Sequence, residues 1–423
     1  MPQPHAPSHH IAAAGPPPEF QSLDGSLKAD VCIVGGGFAG LSTALHLAEH
    51  GIDTVLLEAE RVGWGASGRN GGQLHSGQRQ DVDWLIDWVG REQALALWQI
   101  GEDAKAFFHA TCSNYGIDCD WKAGLFQPVH KARWVDSHKE YVRFMREEIG
   151  YTDLEWISAE AFAEASGATG YFGSARDASA GHLNPAKYAF GLARAAAEAG
   201  ARIFEGARVT SIEGKRLATD TSTVHAETII LAGNGYIGGL EPEIADRVMP
   251  INNYIAVTEP LGDDQTAGGL IPGGEAFGDS RFVVYYWRPT PDGRLSFGGG
   301  ESYSSAFPND IAAFVLPHLT KVYPQLKNVQ MDYAWGGTLA ITRKRMPLIR
   351  KIRNGVYAAC GFSGQGVALA PFAGKIVADA IAGDPARFDH YATLPAPKFP
   401  GGTALRAPLL AAAMTWYALR DRL

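Results

Sequence analysis

Residues 31–58 read, in close succession, as a strand, a glycine turn, a helix, a second strand and an acid. Val31-Cys32-Ile33-Val34 runs into Gly35-Gly36-Gly37-Phe38-Ala39-Gly40. A helical run follows over residues 41–50, and Thr54-Val55-Leu56-Leu57 ends at Glu58. This order spells a βαβ unit of Rossmann type and so an α/β fold. Gly35 allows the tight turn, Gly37 lets the backbone approach a pyrophosphate, and Gly40 lets the helix lie close on the strand. Amides at the start of the helix face the phosphates, and Glu58 is placed to accept hydrogen bonds from an adenosine ribose. The helix is apolar at Leu41, Ala44, Leu45 and Ala48, which form one face. The turn by itself is weak evidence, because 50 of the 423 residues are glycine. Its complete context outweighs a tight turn that binds nothing. The acid suits NAD and FAD alike.

With 46% hydrophobic and 19% charged residues, a chain of this length reads as an ordinary globular protein of two or more domains. A formal charge of −8 argues against nucleic acid or anionic membranes as main partners. Cys32, Cys112, Cys119 and Cys360 show no metal spacing, so no metal site is expected. Cys32 lies inside the first strand, which points to free thiols and a reducing cytoplasm. Residues 1–19 lack the apolar core of a secretory signal. In this Pro-rich arm His9 and His10 read as solvated side chains. The apolar run at residues 408–418 is too short to span a bilayer, and docking on the protein's own surface is the expectation there.

Residues 61–80 form a second glycine-rich segment. The pattern over residues 84–150 is helical: Leu97, Ile100, Ala104, Phe107 and Phe108 share one face, as do Tyr141, Phe144 and Met145. A helix at 186–200, a strand at 201–212 and a strand at 227–232 follow. Residues 246–303 alternate as a large sheet would, and 310–323 suggest a short helix. A strand at 356–359 leads to a third glycine loop, Gly361-Phe362-Ser363-Gly364-Gln365-Gly366, and a helix from about residue 370 to 382. The expected organisation is a discontinuous nucleotide domain (27–85, 180–245 and 334–395) interleaved with a substrate domain (86–179 and 246–333). An N-terminal arm (1–26) and a helical tail (396–423) flank them. One phosphate turn suffices for NAD. Two further glycine loops suit FAD, whose ribityl chain and ring need more backbone contacts.

Several motifs carry a resemblance over nearly the whole chain. They are residues 30–59, Gly65-Ala66-Ser67-Gly68-Arg69-Asn70-Gly71-Gly72-Gln73, Ala256-Val257-Thr258-Glu259-Pro260-Leu261, Tyr285-Tyr286 and Asp292-Gly293-Arg294. Further on come Phe297-Gly298-Gly299-Gly300, Trp335-Gly336-Gly337-Thr338, the loop at 361–371 and the tail at 404–410. With these the chain resembles the FAD-dependent D-amino acid oxidase/glycine oxidase superfamily, and most of all its γ-glutamylputrescine oxidoreductase branch. The resemblance implies a Rossmann-like FAD-binding domain with an interleaved α+β substrate domain, and non-covalent FAD. Gly35, Gly37, Phe38, Ala39 and Gly40 would hold the pyrophosphate, and Glu58 with Ala59 the adenosine ribose. Ala66, Ser67, Arg69, Asn70, Gly71, Gly72 and Gln73 would line the ribityl chain and flavin ring. Val209 would meet the adenine, and Gly233 would lie near the ribose or pyrophosphate. Gly364, Gln365, Gly366 and Val367 would approach the pyrimidine edge of the ring, where a helix N-terminus favours the reduced anion. Cys360 does not match the usual position of covalent flavin attachment.

The implied reaction is oxidation of an amine C–N bond, with hydride passing to the flavin and the imine then hydrolysed. The amine must shed its proton first, and an ammonium with a pKa of about 10.4 costs roughly 5 kcal/mol to deprotonate at neutral pH. A desolvating aromatic pocket lowers that cost. Tyr254, Tyr285, Tyr286, Trp287 and Trp335 are candidates for its walls, Arg288 for binding a substrate carboxylate, and His75 for a substrate contact. The expected substrate is a γ-glutamylated or otherwise substituted alkylamine, with a secondary or α-amino acid as the alternative. The electron acceptor is oxygen or another carrier.

Three departures from the family pattern stand out. Gln365 replaces a common His, Arg343-Lys344-Arg345 is unusually basic, and no lysine occurs near Leu295-Ser296, where sarcosine oxidases carry one that speeds reaction with oxygen.

Overall fold

The computed structural model describes residues 2–262, 266–302 and 306–403. Two sheets organise them. In the first, Val356–Cys360, Thr223–Leu231, Ser26–Val34, Thr54–Leu57 and Arg202–Phe204 lie side by side and parallel, and Leu348–Arg353 is added antiparallel at one edge. Parallel strands covered on both faces need apolar side chains on both. Accordingly Cys32, Ile33, Val55, Leu56, Ile230 and Leu231 are all buried.

The helix Phe38–Glu49 packs against the helix Gly366–Ala382 at van der Waals distance, because Gly374 has no side chain. A Cβ there would lie 2.4 Å from Ala39 O. Thr43 Oγ1 donates across the contact to Gly374 O at 3.2 Å. The first and third glycine loops are thereby carried on one packed helix pair.

In the second sheet the strands run Met331–Thr342, Val248–Thr258, Leu295–Ser302, Tyr286–Pro289, Ala276–Gly278, Lys122–Pro128, Ser174–His182 and Gln73–Leu74, with Leu154–Ile157 beside Ser174–His182. Two expected boundaries therefore fall inside strands. Residue 334 lies within Met331–Thr342, which pairs over its length with Val248–Thr258, and residue 180 lies within Ser174–His182. Both strands belong to the second sheet, and His182 at the end of one of them pairs with Gln73.

Local expectations differ from the structure at four other places. The run at 84–150 is broken by the strand Lys122–Pro128, which pairs antiparallel with Ser174–His182. The strand expected at 201–212 is two pieces, Arg202–Phe204 and Val209–Glu213. Gly206, at φ +64°, turns the chain between them, so that Phe204 O and Ala207 N clamp the backbone of Glu58 at 2.9 and 2.8 Å. The last long helix starts at Gly366, four residues earlier than expected, with Pro371 inside its first turns. The arm is not solvated: Ser8, His9 and His10 are buried, and Ser8 caps the short helix His9–Ala14. Of the expected tail, residues 404–423 lie outside the described residues.

Among the described residues no single helix is long and apolar enough to cross a membrane. The bent pair Gly366–Ala382 and Ala386–Ala392 passes together by composition, and the first of the two is a core helix.

Candidate active site

The first glycine turn ends in a helix whose first ladder bond is Leu41 N–H to Gly37 O at 2.9 Å. The amides before Leu41 are therefore outside the ladder, and that of Phe38 is taken by Ser67 Oγ at 2.9 Å. A Cβ on Gly40 would sit 1.9 Å from Gly35 O, and one on Gly35, at φ +113°, 2.9 Å from the backbone of Ala232 and Gly233. Both positions require glycine. Glu58 accepts from Gly36 N–H at 2.6 Å and from Glu60 N–H at 2.8 Å. Burial pushes its carboxyl up to about 6, against the pull of those two amides. A carboxylate has about four acceptor sites, so two remain for a ligand's donors.

A cavity of about 620 Å³ runs along this turn. Gly35, Gly37, Phe38, Ala39, Glu58, Ala59, Ala66, Ser67, Val209 and Gly233 line it, as do Gly364, Gly366 and Val367. It meets a second cavity of about 310 Å³ at Ala66, Asn70, Leu339, Ser363, Gly364 and Val367. Arg69, Gly71, Gln73 and Gln365 face that second cavity, together with Tyr286 and His75. Gly40 and Gly72 line neither; Gly40 sits under the turn. At Gly72, φ +75°, a Cβ would lie 2.0 Å from Leu183 O.

The loop between the cavities is held by its own side chains. Asn70 Nδ2 donates to Ala66 O and Ser67 O at 3.0 Å each, and its Oδ1 accepts from Gly72 N–H at 2.8 Å. Arg69 donates to Trp64 O at 2.7 Å and Gly336 O at 3.1 Å. Gln73 Nε2 reaches Phe277 O at 2.7 Å, which ties the loop to the second sheet.

Five side chains expected to meet substrate lie outside the second cavity. Tyr285 is buried, with its hydroxyl bonded to His318 Nδ1 at 2.7 Å. Tyr254 is fully buried against Phe314. Trp287 is stacked between Phe277 and Phe297 in the core of the second sheet. Trp335 is buried and donates from Nε1 to Arg69 O at 3.0 Å. Arg288 is buried too, and its Nε donates to Gly71 O at 2.8 Å; burial pushes its guanidinium down to about 10. Alternation along their strands puts Tyr254 and Trp287 on the face opposite their cavity-lining neighbours Asn253 and Tyr286. Arg288 and Trp335 share the parity of the cavity-lining Tyr286 and Gly337, and bond the loop carbonyls of Gly71 and Arg69 instead. Tyr286, one residue from Trp287, does line the cavity and donates its hydroxyl to Asn253 Oδ1.

The second cavity has walls the motifs did not mark. Tyr141 and Met145 face it from the helix Val135–Glu147, where their spacing read as core packing. A charged network closes another side. Lys105 is buried, pairs with Glu102 at 2.8 Å and donates to Ser76 Oγ at 2.7 Å and Tyr151 OH at 3.0 Å. Asp177 accepts from Ser76 Oγ at 2.5 Å and Tyr151 OH at 2.8 Å. Asp279 is likewise occupied, by Tyr171, Arg281 and two backbone amides. Asp81 differs: it precedes the helix Val82–Val89 without capping it through its side chain. Burial and the nearby Asp83 hold its carboxyl above the usual range. Arg79 and Arg345 line the same cavity, Arg345 over the ring of Phe282 at 4.8 Å. Burial and Arg79 push the His75 imidazole down to about 4, so it is neutral at physiological pH.

A phosphate-binding turn, a carboxylate on the next strand and a long groove opening into a second, mixed-polarity cavity define a dinucleotide-dependent oxidoreductase of two interleaved units. Comparison with known proteins sharpens this. The chain belongs to the DAO family of FAD dependent oxidoreductases, whose profile matches residues 30–380. It is 41% identical over 409 residues to the probable oxidoreductase OrdL of Rhizobium meliloti (strain 1021), covering 96% of this chain and 95% of that one. It is 38% identical over 424 residues to the gamma-glutamylputrescine oxidoreductase of Escherichia coli (strain K12), covering 99% of both. Its fold matches that of glycine oxidase from Geobacillus kaustophilus with a TM-score of 0.73 at 20% identity, over 84% of this chain and 95% of that one.

The protein is an FAD-dependent oxidoreductase. The groove fits the cofactor: glycines where a Cβ would clash, free acceptor capacity on Glu58, and helix-start amides beside a cavity of about 620 Å³.

Proposed function

We propose that the protein oxidises the C–N bond of a γ-glutamylated or similarly substituted alkylamine. The observation that carries this reading is the second cavity. It joins the cofactor groove at Asn70 and Gly364 and bears Asp81 beside Arg79 and Arg345. An amine with a remote amino-acid head fits such a cavity. The head's ammonium pairs with Asp81 and its carboxylate with the arginines, while the amine to be oxidised lies toward the flavin. The near full-length likeness to a gamma-glutamylputrescine oxidoreductase supports the same substrate class.

The cofactor supplies the hydride acceptor. The chain's own work is to bind, orient and desolvate. Gly35, Gly37, Phe38 and Ala39 would hold the pyrophosphate, with Glu58 and Ala59 at the ribose and Val209 and Gly233 at the adenosine half. Ala66, Ser67, Asn70 and Gly71 would flank the ring, opposite Gly364, Gln365 and Val367. Gly40 and Gly72 would shape the backbone behind these contacts. Tyr286 and neutral His75 wall the amine's approach, where exclusion of water favours the uncharged amine.

For the α-amino acid alternative, Arg288 was the expected carboxylate ligand; its contact with Gly71 O speaks for the longer amine. No lysine lines the second cavity among the described residues, which supports slow direct reaction with oxygen and a carrier as acceptor. The cysteines are free, with Cys112 and Cys119 sulfurs 3.8 Å apart as thiols, in keeping with a reducing cytoplasm.

The test is anaerobic flavin bleaching by a panel of amines. Bleaching by γ-glutamyl amines and not by glycine, sarcosine or D-alanine supports the reading; the reverse order overturns it. Reoxidation in air against quinones then identifies the acceptor.

A further inference from the structure

Three consecutive carbonyls of the loop between the cavities are each held from behind by a different side chain. Trp335 Nε1 donates to Arg69 O at 3.0 Å, His10 Nε2 bonds Asn70 O at 2.9 Å, and Arg288 Nε donates to Gly71 O at 2.8 Å. A trans peptide is planar, with its N–H opposite its C=O, so each bond also aims an N–H. The amide of Asn70 is spent on Ala66 O, and that of Gly72 on Asn70 Oδ1. Only the amide of Gly71 has no partner among the described residues, and Gly71 lines the second cavity. The peptide that carries it is the one fixed by His10.

His10 belongs to the N-terminal arm, and the arm is strapped across both units. Gln3 N–H donates to Glu60 at 2.6 Å, His5 bonds Val62 O at 2.9 Å, and Trp64 Nε1 donates to Pro4 O at 2.9 Å. On the other side His9 pairs with Asp292 at 3.0 Å. Asn184 Nδ2 holds His10 O at 3.2 Å, and the His10 ring meets the edge of Trp335 at 4.8 Å. Because Asn70 O only accepts, His10 carries its proton on Nε2, and its buried Nδ1 has no partner among the described residues. An imidazole kept in this costly state earns its place through the one bond it makes.

We infer that the N-terminal arm is a working part of the flavin site, with His10 as the positioning residue that turns the Asn70–Gly71 peptide so that Gly71 N–H donates toward the bound flavin. Nothing in this depends on which amine is oxidised.

The test compares His10→Gln, which keeps a donor at the Nε2 position, with His10→Asn and His10→Phe, which do not. The readouts are the FAD dissociation constant by flavin fluorescence, the visible flavin spectrum and the two-electron potential. His10→Gln is expected within about threefold of the parent, and the other two to bind FAD about tenfold more weakly with an altered spectrum and potential. If His10→Phe does not fold, the Asn and Gln variants carry the comparison alone. A donor-less variant with parental FAD affinity, spectrum and potential overturns the inference, and so does a Gln variant as impaired as the donor-less ones.

Discussion

Gln365 donates from Nε2 to the carbonyls of both Ser76 and Gly77, at 3.1 and 3.2 Å. The third glycine loop is thus tied to the segment that follows the second glycine loop, across the cavity that both line. Gln365→Ala leaves two buried acceptors unmatched, a cost of about 1–3 kcal/mol. Gln365→Glu, which faces them with a third acceptor, is expected to cost more. Thermal unfolding of the FAD-loaded protein checks this order; equal melting of the three proteins counts against the tie.

The glycine turn is equally exposed to test. Gly40→Ala forces a methyl to within 1.9 Å of Gly35 O, and neither atom can yield without opening the turn. The variant is expected to purify without flavin. Ser67→Ala removes only the hydroxyl on Phe38 N–H and is expected to weaken FAD binding by about two- to tenfold. Fluorescence titration of the apoproteins separates the two.

Much of this was legible in the chain and part was not, for physical reasons. The glycine turn, Glu58 and the loop at 361–366 announce themselves because backbone approach and helix termini dictate residue type locally. The side of a strand that a residue faces depends on register. Tyr286 faces the cavity and Trp287 does not, and aromatic enrichment alone cannot separate neighbours in a sheet whose two faces are both buried. His10 was hidden for another reason. Its partners, Asn70 and Trp335, lie 60 residues or more away, and a His pair in a Pro-rich arm has no periodicity to reveal docking. Tyr141 and Met145 had the spacing of core residues and do pack in a buried cluster, yet they also line the cavity, since an apolar stripe reads the same against protein or substrate.

In the proposed site Glu58 links cofactor binding to pH. Its carboxyl, raised to about 6 by burial, stays protonated where an unfolded glutamate has already ionised near 4.5. The apoprotein therefore loses this stabilisation as pH rises from 4.5 through 6. Ribose hydroxyls prefer the carboxylate, so FAD affinity is expected to fall as pH drops below about 6 and to level off above it. Glu58→Gln should bind FAD about tenfold more weakly near pH 8 and show a flatter profile. Titrations from pH 5 to 8 give both numbers.

The arm should respond to acid in its own way. Burial, Arg288 and His9 hold the His10 imidazole well below 6.5, and burial lowers that of His9 despite Asp292. A released arm takes up protons below 6.5 that the docked arm does not, so docking weakens as pH falls through that value and is unaffected above it. Limited proteolysis near residue 15 is expected to be faster at pH 5.5 than at pH 7.5, and FAD should slow it at both.

The final prediction concerns substrate choice. Asp81→Asn removes the carboxylate proposed for the remote ammonium, and Arg345→Ala a cation proposed for the carboxylate. Each is expected to raise KM for a γ-glutamyl amine by about tenfold or more with a smaller change in kcat. A plain alkylamine, which has no such head, should see the two variants as close to the parent. If both variants instead lose kcat on every amine alike, these residues act on the flavin end of the cavity and not on the head of the substrate. Because Asp81 and Arg345 share one cavity, the double variant should cost less than the product of the two single effects. Such a cycle measures whether they grip the same amino-acid head.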